Sequence, residues 1–195
     1  MRAGIERSVA VVALLLALAP VAAQGQDWNL QSLMQALGGR DAGHARFVEK
    51  KYLAVLDRPL EQRGELSYAP GRLEKLTLSP KRERMLIVGD TLIMEFADRP
   101  RPRKLRLQDH PALWGFVESL RATLTGDLAT LQRFYAARLE GPREGWTLTL
   151  QPRVQAMRAV VEVIRIDGSG GRIERVEVVE ALGDRSVMQV FEDPA

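Results

Sequence analysis

The fold of this chain is decided by residues 47–96, where strand patterns alternate with turn residues. The stretch contains, in order, Phe47-Val48-Glu49-Lys50-Lys51-Tyr52, Gly64-Glu65-Leu66-Ser67-Tyr68, Leu76-Thr77-Leu78-Ser79-Pro80, Met85-Leu86-Ile87-Val88-Gly89-Asp90 and Thr91-Leu92-Ile93-Met94-Glu95-Phe96. A strand with one wet face alternates between apolar and polar residues, yet residues 85–88 and 92–94 are apolar throughout. We therefore expect a sheet that is covered on its second face or that keeps an apolar face for a guest molecule.

Apolar residues at three- and four-residue steps predict helices on either side of this stretch. The first helix is predicted over Leu30–Leu37 and is ended by Gly38-Gly39. Gly126 ends the second, and Asp127 can cap a third that carries Leu128, Leu131, Phe134 and Tyr135. The apolar face of the second helix consists of Leu113, Trp114, Phe116, Val117, Leu120 and Leu124.

Strands are predicted before and after this helical pair. The earlier ones lie near residues 45–56, 62–69, 72–79, 83–89, 91–96 and 104–107, and the later ones near 146–150, 160–167, 172–180 and 185–191. Gly168-Ser169-Gly170-Gly171 predicts a hairpin connection. Strands that flank an inserted helical pair indicate an α+β fold on a large antiparallel sheet. No long linker divides the pattern, so we expect one domain.

The first residues predict export. Arg2 and Arg7 form a basic segment, and the apolar run that follows, residues 9–19, is shorter than a comfortable bilayer span. Ala22-Ala23 supply the small residues of a cleavage site. We expect a signal peptide over residues 1–23 and a domain over residues 24–195, which does not span the membrane once the peptide is removed. An uncleaved N-terminal anchor is the alternative.

Composition narrows the classes of function. Cysteine is absent, which excludes thiol catalysis, a cysteine-ligated metal and a lipidated mature N-terminus. The net charge of +3 is weak support for a polyanionic partner. Basic residues concentrate in residues 99–106, which we interpret either as a patch for phosphate head groups or an acidic partner, or as a solvated loop. Because no aromatic residues interleave with them, we expect no nucleic-acid partner.

Catalytic motifs are sparse. His44 and His110 are the only histidines, and no metalloprotease signature, nucleophile elbow or phosphate-binding loop is present. We expect no catalysis, no cofactor and no metal, with a lipid-modifying enzyme that uses a histidine as the minor alternative. Asp90 is predicted to be a turn residue and Asp109 a helix cap. Glu49-Lys50-Lys51 is predicted to be a solvated strand segment.

The ordered elements resemble the outer-membrane lipoprotein carrier protein family (LolA-like), in a divergent branch. The similarity covers most of the chain after the signal peptide, and its motifs are moderately specific as a set but weak one by one. The matching features, in chain order, are the helix before Ala45-Arg46-Phe47, the strand Gly64-Glu65-Leu66, the turns Pro70-Gly71-Arg72 and Ser79-Pro80, the segment Val88-Gly89-Asp90-Thr91-Leu92, and Ile173-Glu174-Arg175-Val176-Glu177-Val178 with Gly183-Asp184-Arg185.

The resemblance implies a half-barrel, in which a curved antiparallel sheet wraps an apolar cavity and the helices form a lid. It implies a monomeric periplasmic carrier of acylated lipoproteins or related acyl lipids, which takes its cargo from an inner-membrane donor complex and delivers it to an outer-membrane acceptor. A periplasmic module that senses lipid or lipoprotein, without carrier activity, is the alternative.

The residues expected to bind acyl chains belong to the strands and to the helical face described above. Methionine suits such a cavity because it is flexible and polarizable. The expected cavity and lid residues are Phe47, Leu66, Leu76, Leu78, Met85, Leu92, Met94, Phe96, Leu113, Trp114, Phe116, Val117, Leu120 and Leu148. An ordinary dry core formed by the same residues is the alternative.

The chain departs from the family pattern in two ways. Where the better-known carriers have an arginine before the turn proline, bonded to the lid, this chain has Ala69, and Arg72 is the nearest substitute. The carriers are also rich in cavity aromatics, whereas this chain is only 6% aromatic. We therefore expect a specialised relative whose lid contacts and cargo differ from those of the general carrier.

Overall fold

The computed structural model describes residues 28–39 and 42–192. The predicted signal peptide lies outside the described residues. The helices are α1 (Leu30–Leu37), α2 (Pro111–Thr125), α3 (Leu128–Phe134) and α4 (Gln155–Arg158), with a 3-10 turn over Leu107–Asp109. The strands are β1 (Gly43–Tyr52), β2 (Leu60–Ala69), β3 (Arg72–Ser79), β4 (Glu83–Val88), β5 (Thr91–Phe96), β6 (Arg103–Arg106), β7 (Tyr135–Glu140), β8 (Trp146–Pro152), β9 (Val161–Ser169), β10 (Arg172–Glu180) and β11 (Arg185–Glu192).

Local sequence chemistry sets the helix ends. Asn29 and Ser32 form a reciprocal capping box at the start of α1. Pro111 occupies the first turn of α2, where its missing N–H costs nothing. Gly126 ends α2 in the left-handed conformation at φ 74°. Asp127 caps α3 by accepting a hydrogen bond from the Thr130 N–H, as predicted.

All eleven strands form one antiparallel sheet in the order β6-β5-β4-β3-β2-β1-β11-β10-β9-β8-β7. The helical pair is inserted between the two edge strands, β6 and β7. Directly paired residues share a face of the sheet, so the register defines an inner face, which carries Phe47 and packs against the helices. The predicted α+β architecture, with an N-terminal helix and an inserted helical pair, is confirmed.

The sheet curves around α2. One buried cluster joins α1 and α3 to the β7–β10 side, and a second joins α2 to strands β3 and β5. Trp114 of α2 packs against both clusters, and its ring meets Phe134 of α3 edge-on at 5.4 Å. Flat, the sheet would be about 48 Å wide at the usual strand spacing. Only a curved sheet brings both of its ends to one helix.

Three local predictions were wrong. Tyr135 does not continue α3 but begins β7, a strand that was not predicted. Asp109 does not cap α2, because the side-chain cap is absent at the start of that helix and Asp109 lies in the 3-10 turn. The segment Glu49-Lys50-Lys51 is not solvated throughout, since only 5% of Glu49 is exposed.

The Tyr135 hydroxyl gives a stability prediction. It is buried without a hydrogen-bond partner among the described residues, and burial raises the pKa of Tyr135 to about 12. An unsatisfied buried hydroxyl costs about 1–3 kcal/mol. We expect Tyr135→Phe to raise the free energy of unfolding by about 1 kcal/mol, measured by urea denaturation. Tyr52→Phe, whose side chain is exposed, serves as control. A clear loss of stability in Tyr135→Phe would show that the hydroxyl is bonded in solution.

Candidate functional site

The candidate site is the inner face of strands β1–β6, where the register arranges side chains in three parallel rows. The upper row is Gly43, Tyr68, Leu73, Ile87, Leu92 and Leu105. The middle row is Ala45, Leu66, Lys75, Met85, Met94 and Arg103. The lower row is Phe47, Gly64, Thr77, Glu83 and Phe96.

The upper row is closed by α2. Leu73 and Leu92 form a dry cluster with Leu107 and with Val117 of α2, and Leu113 packs against it. Leu92 and Val117 are 2% and 0% exposed, respectively. This part of the inner face is therefore ordinary hydrophobic core and leaves no room for a ligand between the sheet and α2.

The middle row is half open. Met85 is 43% exposed, and its partner Met94 is only partly buried. Phe116 and Leu120, one turn apart on α2, are 37% and 36% exposed. The middle row thus leaves apolar side chains uncovered. We call Leu66, Met85 and Met94 the open floor, in which Lys75 lies between Leu66 and Met85.

A buried ion pair crosses the inner face beside the open floor. Lys75 Nζ donates a hydrogen bond to Glu49 Oε2, and Ser186 Oγ donates to Glu49 Oε1. The Glu49 side chain is 6% exposed and that of Lys75 is 21% exposed. Both carboxylate oxygens are occupied, so the ammonium is the accessible end of the pair. We call Glu49, Lys75 and Ser186 the ionic strap.

A glycine makes room for the Phe47 ring, which lies under the Lys75 ammonium. The Lys75 ammonium lies 4.8 Å from the centroid of the Phe47 ring, which is 1% exposed. Gly64 is paired with Phe47, and a Cβ there would lie 2.9 Å from the Phe47 ring and 1.9 Å from the Leu76 carbonyl oxygen. A side chain at Gly64 would therefore displace both the ring and the neighbouring strand.

The electrostatics favour an ionised Glu49. Burial alone would raise the pKa of Glu49, but the Lys75 ammonium and the hydrogen bonds from Lys75 and Ser186 hold it below its ordinary value of 4.5. Burial lowers the pKa of Lys75, and the Glu49 carboxylate offsets part of that effect. Lys51 and Glu83 add weaker charge interactions with Lys75, of opposite sign.

Two further polar side chains lie on the inner face near the ionic strap. Gln62 is paired with Glu49 and is 8% exposed, and Thr77 is paired with Gly64 and is 4% exposed. Neither side chain hydrogen-bonds to another residue in the described part of the chain. We call Gln62 and Thr77 the polar strip. The inner face therefore combines the open floor with the polar strip at its lower side.

The structure brings most of the predicted cavity residues to the inner face or to α2. Leu66, Met85 and Met94 line the open floor, Phe47 and Phe96 lie in the lower row, and Leu148 is fully buried in the cluster on the β7–β10 side. Of the α2 residues, Phe116 and Leu120 are partly exposed, whereas Leu113, Trp114 and Val117 pack into the clusters.

Leu76 and Leu78 are not brought together with the others. Leu76 is paired with Glu65 and Arg84 on the outer face. Leu78 is the extra residue of a β-bulge and is 46% exposed. Side chains alternate between the two faces of a strand, and strand propensity does not tell which of the two alternating sets faces inward. The sequence alone therefore could not show that Leu76 faces outward.

Arg121, and not Arg72, connects α2 to a turn of the sheet. Arg72 pairs with Glu74 at 2.7 Å on the outer face rather than with the helix. Instead, Arg121 of α2 donates a hydrogen bond to the Gly89 carbonyl in the β4–β5 turn and pairs with Glu118. A cavity of about 310 Å³ lies between α2 and the β2–β3 turn, lined by Gly38, residues 68–73, Arg121, Leu124 and Thr125.

Other sequence features lie outside this arrangement. In the basic segment, Arg103 faces inward in the middle row, and the Arg99 guanidinium lies 5.0 Å from the Phe96 ring. Within residues 28–39 and 42–192, no helix is long and apolar enough to cross a bilayer. The same residues hold no group of three or more His, Asp or Glu side chains placed to bind a metal ion.

Comparisons place the fold among known proteins. A family model described as "Outer membrane lipoprotein carrier protein LolA-like" matches residues 18–189. A search of curated proteins finds no match. Among solved structures, a LolA superfamily protein from Nitrosomonas europaea is 13% identical, with a TM-score of 0.41 over 85% of this chain and 94% of that one.

Two further solved structures are similar at comparable levels. MucB is 16% identical, with a TM-score of 0.44 over 85% of this chain and 58% of that one. The lipoprotein LppX from Mycobacterium tuberculosis is 10% identical, with a TM-score of 0.43 over 85% of this chain and 93% of that one.

The ionic strap makes stability depend on acid pH. Because the folded protein holds the pKa of Glu49 below 4.5, its contribution is present above that pH and is lost as the pH falls through the folded pKa. We expect Glu49→Gln to lower the free energy of unfolding by about 3 kcal/mol at pH 7, since it leaves Lys75 buried and unpaired. Urea denaturation should show this difference shrinking below about pH 4.5.

The control is Glu140→Gln, in the exposed ion pair with Arg138. It should cost less than about 1 kcal/mol at either pH. A difference between wild type and Glu49→Gln that stayed constant from pH 7 to pH 3 would contradict an ionised, strongly paired Glu49.

Proposed function

The chain belongs to the outer membrane lipoprotein carrier protein LolA-like family, and from this premise we propose that it is a periplasmic, non-enzymatic carrier of acyl chains. Its cargo is an acylated lipoprotein or a related acyl lipid. It receives the cargo from a donor at the inner membrane and passes it to an acceptor at the outer membrane. The observation that carries this proposal is the open floor on the inner face of the sheet.

The open floor supports acyl binding on energetic grounds. Each methylene moved from water to an apolar surface contributes about 0.8 kcal/mol, so a chain that covers Leu66, Met85 and Met94 is retained without a covalent bond. Two methionines in one cross-strand pair give a surface that adapts to different chains. A carrier must release its cargo, and an adaptable floor avoids the tight fit that would prevent release.

Helix α2 is the proposed lid. It covers the upper row through Val117 and Leu113, and its partly exposed residues Phe116 and Leu120 add apolar surface. A small outward movement of α2 would add Leu92 and Leu73 to the floor, lengthening the apolar surface by a full row. The hydrogen bond from Arg121 to the Gly89 carbonyl fastens the lid to the β4–β5 turn.

The open floor gives a mutational prediction. Met85→Glu places a carboxylate in the path of the acyl chain, and the 43% exposure of the site allows it to be hydrated, so the protein should stay folded. We expect a loss of affinity for a fluorescent acyl probe of about tenfold or more, and native mass spectrometry of protein purified from a periplasmic extract should lose any bound acyl mass.

The matched control is Val88→Glu. Val88 lies on the same strand and is 46% exposed, but it faces the other side of the sheet. It should bind the probe like wild type. Equal losses in both variants, or no uptake by the wild-type protein, would count against the carrier and favour a sensing module with a closed core.

The lid contact gives a second prediction. Arg121→Met removes the hydrogen bond to the Gly89 carbonyl but keeps an aliphatic side chain on α2. We expect faster release of bound probe, by about tenfold for the loss of roughly 1.5 kcal/mol from a charged hydrogen bond. Stopped-flow transfer to acceptor vesicles measures this rate. Arg138→Met, at an exposed ion pair on β7, should leave the rate unchanged, and an unchanged rate in Arg121→Met would remove Arg121 from the lid.

A further inference from the structure

We infer that the ionic strap is a head-group site, which binds an acyl chain through the carbonyl or carboxylate oxygens at the end of the chain. The inference rests on the proposed carrier function and adds a polar anchor to its apolar floor. It names the ligand chemistry that the site selects: an acyl group whose terminal carbon carries ester, amide or carboxylate oxygens, in preference to a bare hydrocarbon.

The first step is the unequal exposure of the two charges. Both oxygens of Glu49 already accept hydrogen bonds, from Lys75 and from Ser186, and the side chain is almost completely buried. The Lys75 ammonium has three N–H donors, and within the described part of the chain Glu49 accepts from only one of them. The accessible chemistry of the ionic strap is therefore donor capacity, which only a ligand with acceptor oxygens can satisfy.

The second step is the position of that donor beside the floor. Lys75 is paired directly with Met85, and Met85 with Met94, so one row leads from the ammonium onto the open floor. Arg103 ends the same row, about 14 Å from Lys75 at the usual strand spacing. An extended chain lying along the part of this row between Lys75 and Arg103 meets Met85 and Met94 in its middle and a cation at either end.

The third step is the polar strip around the ionic strap. Thr77 and Gln62 are almost fully buried on the same face and make no hydrogen bond to another described residue. A hydroxyl and an amide in that position can each donate to a carbonyl oxygen. Ordered polar groups of this kind fix the orientation of a ligand in an otherwise apolar site.

The overall charge argues for oxygen acceptors rather than for an anion as such. The inner face of strands β1–β6 and β11 carries Lys51, Lys75 and Arg103 against Glu49, Glu83 and Glu192, so its charges balance. An ester or amide carbonyl meets the free N–H donors without approaching the Glu49 carboxylate as a second anion. A carboxylate gains more from Lys75 but also meets Glu49, so both kinds of head group should bind.

The test compares ligands that share one chain length. Dodecanoate, methyl dodecanoate and dodecane are each used to displace the neutral fluorescent probe N-phenyl-1-naphthylamine from the full-length mature protein. We expect the two oxygen-bearing ligands to displace the probe at concentrations about tenfold lower than dodecane. In the double variant Glu49→Gln with Lys75→Met, which removes both charges together, the three ligands should become equal.

The double variant avoids leaving one charge buried alone, and replacing both partners of a buried pair by neutral residues is often tolerated. The matched control is Glu74→Gln with Arg84→Met, which removes a 2.7 Å ion pair between β3 and β4 on the outer face of the sheet. It should keep the ligand preference. Circular dichroism checks that both double variants are folded.

The outcomes separate this inference from the carrier proposal. If the wild-type protein neither takes up the probe nor releases it to any of the three ligands, the carrier proposal fails. If all three ligands displace the probe equally well from the wild-type protein, the carrier stands and the head-group site is wrong. A preference that survives removal of the ionic strap likewise overturns the assignment to Lys75.

Discussion

The structure depends on one geometric constraint: a short helix cannot cover a wide sheet. Helix α2 has 15 residues and is about 22 Å long, whereas eleven strands laid flat would be about 48 Å wide. The sheet responds by curving until Trp114 reaches both buried clusters. Curvature closes the upper row but leaves Met85 and Phe116 partly exposed. The open floor is thus a consequence of the difference between the length of α2 and the width of the sheet.

The same constraint explains why the inner face is divided. Where α2 and α3 reach it, Leu92, Val117 and Leu148 lie in dry clusters, and truncating such a buried leucine to alanine costs about 2–5 kcal/mol. Where they do not reach, the side chains are adaptable methionines or belong to the polar strip. Residues that look alike in sequence therefore have different roles. Leu92 is buried against α2, whereas Met94, two positions later, is partly exposed.

Much of this follows from local sequence, and the rest depends on contacts that no local pattern contains. The ends of α1 and α2 are set by Asn29, Pro111 and Gly126, whose chemistry acts within one turn, so both helices were predictable. Glu49 is different, because its partners Lys75 and Ser186 are 26 and 137 residues away. Leu76 looked like a cavity residue because alternation alone does not identify the inner set.

A contribution to folding stability does not account for the presence of the ionic strap. Replacing a buried ion pair by well-packed apolar residues is often neutral or stabilising. The neighbouring upper row of the inner face is itself apolar. The Phe47 ring under the Lys75 ammonium also depends on Gly64, since a side chain at that position would collide with Phe47 and with the Leu76 carbonyl. A costly pair that leaves ammonium donors beside an open apolar floor is better accounted for by what we propose it binds than by what it stabilises.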